Sequence, residues 1–479
     1  MQDKNQILRV LIRDLNERGQ GVGTVFTDNN EDPRKGKIAF VDGALPNEEV
    51  TAVIREEKSR YLVLDIQDVL RTSGDRIPND CEYFPECGSC QLRHLSYKGE
   101  LAFKEKRVRD LLSRTGPLNQ DSPVFQPIIG MEDPFHYRGK SIFPLKETED
   151  RDCPVAIGQY QRGSHDLVDL RSCKIQSEAS LLIVNRVREL ILEDGVSVYD
   201  EKNHKGTLRH LAIRYSFTNK EIMVIFVVND QEADEIIEDW IPDLEEVLED
   251  EGYKLHSVWL NDMETRGNRI LSQRYRHLHG GVSLEEVVNG VKYKISPDSF
   301  FQVNPIQAAR LFQEIVRAAD LKPGDRVLDL YSGVGAISLQ LAKAYEKLSP
   351  AIEITGVESV EQAVMDAELN MDINGLLNLA FIREDANSWL EDYENNPENT
   401  PFDLIVVDPP RKGLDQKGLD VILASHTPRL IYVSCNPATL ARDLSDLAPA
   451  YTVDRVQPVD MFPRTAHVET VVLMSRVKE

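Results

Sequence analysis

From Pro305 onward, short β-rich apolar runs alternate with longer stretches of helical pattern, and no other feature limits the possible folds as tightly. The runs are 326–330, 353–357, 403–407 and 430–434. Apolar strands separated by helices predict a parallel, doubly wound sheet of Rossmann-like α/β class, because parallel strands need crossover connections. Asn304-Pro305 is a helix start, a capping residue followed by proline at the first helical position. Ligands of open α/β sheets sit at the carboxyl edge. The residues that end these runs are therefore the first candidates for chemistry.

The first run ends in Val327-Leu328-Asp329-Leu330-Tyr331-Ser332-Gly333-Val334-Gly335. Gly333 and Gly335 let the backbone approach a ligand where a Cβ would clash. The next run ends in Glu358, an acidic residue placed to bond the hydroxyls of a ribose. A dinucleotide turn prefers the fuller G-x-G-x-x-G, but position 338 is serine. This favours S-adenosylmethionine over NAD; a tight turn without a ligand is the plain alternative.

The third run ends in Asp408-Pro409-Pro410-Arg411 and the fourth in Ser434-Cys435-Asn436-Pro437. Two prolines make a rigid wall without backbone donors. Enzymes that methylate amino groups place an aromatic residue after such prolines, and Arg411 stands there instead. Cys435 is either a buried structural thiol or a nucleophile, and its place at the carboxyl edge favours the nucleophile. C5 of uracil is too weak a nucleophile to take a methyl group from a sulfonium. A thiolate that adds to C6 makes it an enolate, and a base must then remove the C5 proton. Glu469 and His467 both qualify as that base, and strand alternation predicts that they share a face. Cytosine C5 methylation uses similar chemistry, but those RNA enzymes carry a cysteine in the proline motif, which this chain lacks.

Three of the six cysteines cluster at Cys81, Cys87 and Cys90, with Cys153 and Cys173 farther along. With no basic-then-apolar leader at the first residues, clustered cysteines favour a metal site over disulfides. Three close cysteines and one distant one suit a [4Fe–4S] cluster better than paired zinc knuckles. Spacing leaves Cys153 and Cys173 open as the fourth ligand.

Upstream, 7–13, 21–26, 37–40, 49–55 and 61–69 alternate apolar and polar residues between turns, as in a small OB-like barrel. An amphipathic helix is expected over 98–113. Strand-like runs follow at 211–214, 222–228 and 257–260. The expected division is a barrel over 1–72, a mixed α+β region over 73–295 and the α/β domain over 296–479. The net charge of -24 argues against a nucleic-acid partner, but it is unevenly spread. Residues 230–251 carry about a dozen carboxylates and no lysine or arginine, read as a solvated helix face, while 98–114 is net basic. No apolar run reaches the roughly 20 residues of a membrane span. A cytoplasmic protein with no membrane contact and no evident obligate protein partner is expected.

Taken together, these motifs resemble the RNA uracil-5-methyltransferase family, and within it the 23S ribosomal RNA branch, over nearly the whole chain. The resemblance implies a TRAM domain at the start and [4Fe–4S] ligation by Cys81, Cys87, Cys90 and Cys173. It implies a cofactor pocket of Gln302 (in Ser299-Phe300-Phe301-Gln302-Val303-Asn304-Pro305), Tyr331, Glu358, Asp385 and Asp408, besides the glycines. It implies Cys435 as nucleophile and Glu469 rather than His467 as base. Tyr331, Ala336 and Asp385 depart from residues found in some relatives. The helix 98–116 is expected to pack on the catalytic domain. The implied activity is methylation of uridine C5 in RNA, with 23S rRNA ahead of tRNA as partner. The rival from another class is a non-catalytic RNA-binding or ribosome-assembly factor.

Overall fold

The computed structural model describes residues 7–27, 32–149, 154–230, 233–267 and 269–477; Cys153 lies outside them. The first strands are β1 (Ile7–Leu15), β2 (Gly21–Phe26), β3 (Ile38–Asp42), β4 (Glu49–Glu57) and β5 (Tyr61–Arg71). They close into a barrel in the order β1-β2-β3-β5-β4. Period-two alternation turns Leu8, Val10 and Ile12 inward against Val50, Ala52, Leu62 and Leu64. Closure removes the free edges that an open sheet this small would expose.

After the cysteine-bearing segment comes α1 (Tyr97–Arg114), capped by Ser96, whose Oγ accepts the Gly99 N–H at 3.0 Å. The periodicity of the sequence predicts Leu101, Val108, Leu111 and Leu112 near its packed face; Val108 and Leu112 are fully buried there and Leu111 packs beside them. Leu101 flanks them, and Phe103 is buried together with the charged Glu100 and Lys104. α1 packs on elements near the far end of the chain, as described below.

A second sheet runs β12-β11-β10-β9-β6-β7-β8. It is built from β6 (Lys140–Glu147), β7 (Val155–Tyr160), β8 (Leu167–Asp169), β9 (Leu208–Ser216), β10 (Glu221–Val228), β11 (Lys254–Asp262) and β12 (Tyr275–Gly280). The helices α2 (Glu178–Asp194) and α3 (Ala233–Glu249) share its apolar core. α3 is the acidic helix; it buries Ile237, Trp240, Ile241, Leu244 and Leu248, and the surplus carboxylates take the opposite face. The hairpin β13 (Leu284–Val288) and β14 (Val291–Ile295) turns at Asn289-Gly290, both with positive φ.

The last sheet is the Rossmann-like one anticipated from the sequence. Its strands are β15 (Arg326–Leu330), β16 (Glu353–Glu358), β17 (Leu379–Arg383), β18 (Leu404–Val407), β19 (Arg429–Ser434), β20 (Tyr451–Val459) and β21 (Glu469–Arg476), in the order β17-β16-β15-β18-β19-β21-β20. The strands β15 to β19 are parallel, whereas β21 runs antiparallel between β19 and β20. The surrounding helices are α4 (Pro305–Ala319), α5 (Ala336–Ala344), α6 (Glu361–Asn374), α7 (Ala386–Glu394), α8 (Gln416–Ala424) and α9 (Pro437–Leu447). Strand order reverses between β15 and β18, which opens the crevice where such sheets bind ligands. Among the described residues no helix is long and apolar enough to cross a membrane.

Candidate active site

At the end of β15 the backbone turns through Tyr331, Gly333 and Gly335, all at positive φ (62°, 55° and 73°). A Cβ on Gly335 would lie 2.6 Å from the Phe381 ring, so only glycine fits. Gly333 faces open space, and its N–H donates to Glu358 Oε2 at 3.1 Å. Ser338 stands where a dinucleotide turn carries its third glycine. Its N–H and hydroxyl both donate to Asp329 Oδ2, at 3.2 and 2.6 Å. Burial pushes Asp329 up to about 7 despite those bonds. Asp329 Oδ1 and Ser332 Oγ are buried without a hydrogen-bond partner among the described residues. Such orphaned oxygens beside an open glycine fit a polar ligand at this turn.

Tyr331 and Asp385, two of the other expected pocket residues, follow the carboxyl ends of β15 and β17. Tyr331 donates its hydroxyl to Asn387 at 2.9 Å. Asp385 caps α7, accepting the Ser388 N–H at 3.0 Å, and that bond holds its carboxyl below the usual range. Gln302 is half-buried in the segment ahead of α4, next to Phe300, whose ring is 67 % exposed. Asn304 anchors this segment by accepting the Gln307 N–H and donating to Met461 O at 3.0 Å.

Backbone register brings the reactive groups together. β19 pairs with β21 at Ser434↔Thr470, so the next residues, Cys435 and Glu469, face one another across the strand ends. β18 runs beside β19 and ends one residue before Asp408. Glu469 is buried, and its carboxyl is pushed up to about 8 by burial and then by Asp408, with Arg411 opposing. Asp408 rises to about 7 through burial and the nearby Asp329. The Cys435 thiol is pushed up to about 11 by burial, then by Glu469 and Asp408, while Arg411 again opposes. Cys435 sits on the turn into α9, where Asn436 caps the helix and donates to Arg411 O at 3.1 Å. A helix N-terminus favours a thiolate, by about 0.3–1 kcal/mol.

His467 is not on the face expected from strand alternation. β21 begins at Glu469, so His467 lies in the preceding loop and is exposed. Partial desolvation and then the field of Arg411, Lys104, Arg107 and Arg138 lower its imidazole from the ordinary value. Sequence reasoning counted Lys104 and Arg107 in the basic stretch 98–114 but placed none of these cations at the site. Arg411 was noted only for not being aromatic, yet it is the one positive charge that moderates both Cys435 and Glu469.

Cys81, Cys87, Cys90 and Cys173 line one small cavity together with Arg93 and Lys174. Backbone N–H groups of Ile175 and Gln176 point at the Cys173 sulfur, and Ser89 bonds that of Cys87. Burial and then the neighbouring thiols push Cys90 up to about 12. Among the described residues no three His, Cys, Asp or Glu side chains are gathered to hold one metal ion. Four thiols around a cavity, rather than around a point, suit a larger anionic group that N–H donors and cations would stabilise. A separate cleft of about 960 Å³ lies between the barrel and this loop, lined by Arg18, Arg55 and Arg162 among others.

Residues 133–477 match the family described as tRNA (Uracil-5-)-methyltransferase, and residues 2–63 match the TRAM domain. A protein of Bacillus cereus named uncharacterized RNA methyltransferase is 37% identical over 481 residues, covering 100% of this chain and 98% of its own. A Listeria innocua protein of the same description is 36% identical over 476 residues, covering 98% of each. Among solved structures, the Pyrococcus abyssi tRNA (uracil-54, C5)-methyltransferase in complex with S-adenosyl-L-homocysteine superposes with a TM-score of 0.73. It is 26% identical and covers 97% of this chain and 100% of its own.

Proposed function

The chain belongs to the tRNA (uracil-5-)-methyltransferase family and is an RNA methyltransferase, and from that premise we propose that it methylates C5 of a uridine through a covalent bond between Cys435 and C6. The observation that carries this reading is the register that sets Cys435 against Glu469 at the edge of the crevice. S-adenosylmethionine, when bound, supplies an electrophilic methyl sulfonium. Gly333, Gly335, Glu358, Tyr331, Asp385, Asp408 and Gln302 are the residues that would hold it, and the unpartnered Asp329 and Ser332 oxygens support a polar ligand there.

The protein's part in the reaction follows from charge. Cys435 gives up its proton to solvent and its thiolate adds to C6, leaving the electron pair on C5 and O4 as an enolate. Arg411 and the start of α9 favour the thiolate; Asp408 and Glu469 oppose it. Once C5 has taken the methyl group, Glu469 accepts the C5 proton, the C6–S bond breaks, and its electrons return to sulfur. The double bond C5=C6 is restored and the thiolate is released. A base stacked in a helix cannot present C6 to Cys435, so an unpaired or extruded uridine is required. Phe300, exposed two positions before Gln302, offers an aromatic face for stacking.

The substrate favoured is 23S rRNA, because the four-cysteine cavity behind a TRAM barrel resembles the ribosomal branch. The second reading, a tRNA substrate, is supported by the full-length likeness to the Pyrococcus abyssi enzyme. Unmodified 23S rRNA fragments and tRNA, each tritiated at uracil C5, separate them. Tritium should reach water in step with methyl incorporation, and only from the true substrate. Incorporation without tritium release would overturn the C5 chemistry.

Cys81, Cys87, Cys90 and Cys173 are proposed to hold a [4Fe–4S] cluster, with Arg93 and Lys174 beside it. No step above needs an electron, so its role here is structural. Anaerobically isolated protein should contain about four iron and four sulfide per chain, and Cys87→Ser should lose both. One tightly held zinc per chain instead would sink the cluster.

A further inference from the structure

Glu469 is the first residue of β21, and strand ends fray unless something holds them. The stretch before it, 460–468, is gripped by parts of the chain outside the catalytic sheet and its helices. Lys104, buried on α1, donates to Asp460 at 2.6 Å and to Phe462 O at 3.2 Å. Arg464 is the most heavily held residue. It has a left-handed backbone (φ 69°) and is 6% exposed. Its carbonyl accepts the N–H groups of Gln91 and Leu92 at 2.9 and 3.1 Å. Its own N–H donates to Glu100 Oε1 at 2.8 Å. Its guanidinium reaches Leu95 O at 3.3 Å and lies over the Tyr97 ring. Gln91 directly follows Cys90, and its side chain closes the turn by donating to Gly88 O at 2.9 Å.

The Arg464 bonds do not include the Cys435 turn, although α1 itself packs on α9. That turn is fixed by Asn436 and Ser434 within the catalytic domain, where the Asn436 N–H donates to Ser434 Oγ at 3.1 Å. The Arg464 contacts therefore act on the segment before Glu469, separately from the packing of α1 on α9. We propose that Arg464 is a positioning residue for Glu469, coupling the Cys87–Cys90 turn and α1 to the segment that carries the base. The inference rests on Glu469 being the base. It gives the cysteine turn a specific task, which is to aim the carboxyl at C5 for the last proton transfer.

The consequence is a split between two steps. Loosening Arg464 leaves sulfur addition and methyl transfer intact and slows removal of the C5 proton. The test is single-turnover rapid quench with RNA tritiated at C5 and a labelled methyl donor, using the holoenzyme and its Arg464→Ala, Arg464→Lys, Gln91→Ala and Glu469→Gln variants. In Arg464→Ala one methyl per enzyme should be incorporated near the wild-type rate. Tritium release should slow about tenfold or more, and an RNA–protein adduct stable to denaturant should accumulate. Arg464→Lys, which keeps a cation able to reach Leu95 O and Glu100, should recover most of the release rate. Equal losses in methyl incorporation and tritium release, or no change in either, would overturn the coupling. If Arg464→Ala does not fold, Gln91→Ala decides by the same ratio of rates. Failure of Glu469→Gln to accumulate adduct would remove the premise, whereas adduct in Glu469→Gln but not in Arg464→Ala would remove only the coupling.

Discussion

Cys435→Ser is expected to lower turnover by about four to six orders of magnitude, the range seen when a covalent nucleophile is removed. Serine keeps the shape of the turn and its hydrogen bonds, so RNA binding and the fold should persist. Its hydroxyl, however, faces Glu469 and Asp408, two carboxyls that disfavour a second negative charge, and an alkoxide is far harder to form than a thiolate. Even the thiol is disfavoured as thiolate, held at about 11 in the free protein. Activation must therefore come from the filled site. A positively charged methyl donor, when bound, offsets the two carboxylates. The check is a steady-state rate beside a denaturing gel. Residual activity above about one per cent would show that the nucleophile lies elsewhere.

Glu469→Gln should reduce turnover about a thousandfold, within the usual span for a lost general base. It should also trap the methylated adduct, because sulfur cannot leave until C5 gives up its proton. The same substitution should alter stability in a pH-dependent way. The carboxyl titrates near 4.5 when unfolded and near 8 when folded, so the folded protein holds a proton that the unfolded chain releases. That contribution is complete below about 4.5 and is lost as pH rises through about 8. Glutamine has no proton to lose. The stability difference between variant and wild type, measured by denaturant at pH 5 and again at pH 9, should move in the variant's favour by roughly 4 kcal/mol. No change with pH would mean that Glu469 is already ionised when folded. Wild-type activity should rise with pH through about 8, as the buried carboxyl becomes able to accept a proton.

The parallel sheet was legible because each strand is a continuous apolar run closed by a residue with obvious chemistry. Asp329, Asp408 and Cys435 could be placed on one edge by that logic alone. The barrel was legible from alternation. Less was readable between them. β6, β7 and β8 lack clean alternation because both faces of their sheet are partly covered, and the Asn289-Gly290 hairpin turn passed unnoticed although its dipeptide is a strong signal. The choice between Glu469 and His467 could not be made from spacing, since it depends on where β21 begins. The burial of Lys104 was unreadable for a related reason. A lysine on an amphipathic helix is taken as solvent-facing; Glu100 on the same helix pairs with it, and the return of Asp460 across the fold adds the second carboxylate. Arg464 offered no local signal at all.

The contact between α1 and the segment at Asp460 also fixes when the enzyme becomes competent. The two residues of that ion pair stand 356 positions apart, among the most remote contacts a chain of this length can make. Such contacts form late, because a long loop must close before they repay its entropy. During vectorial synthesis the barrel and α1 precede the base by most of the chain's length, and Lys104 stays hydrated until Asp460 has been made. A nascent chain can thus fold its barrel well before β21, which carries the proposed base, has been made.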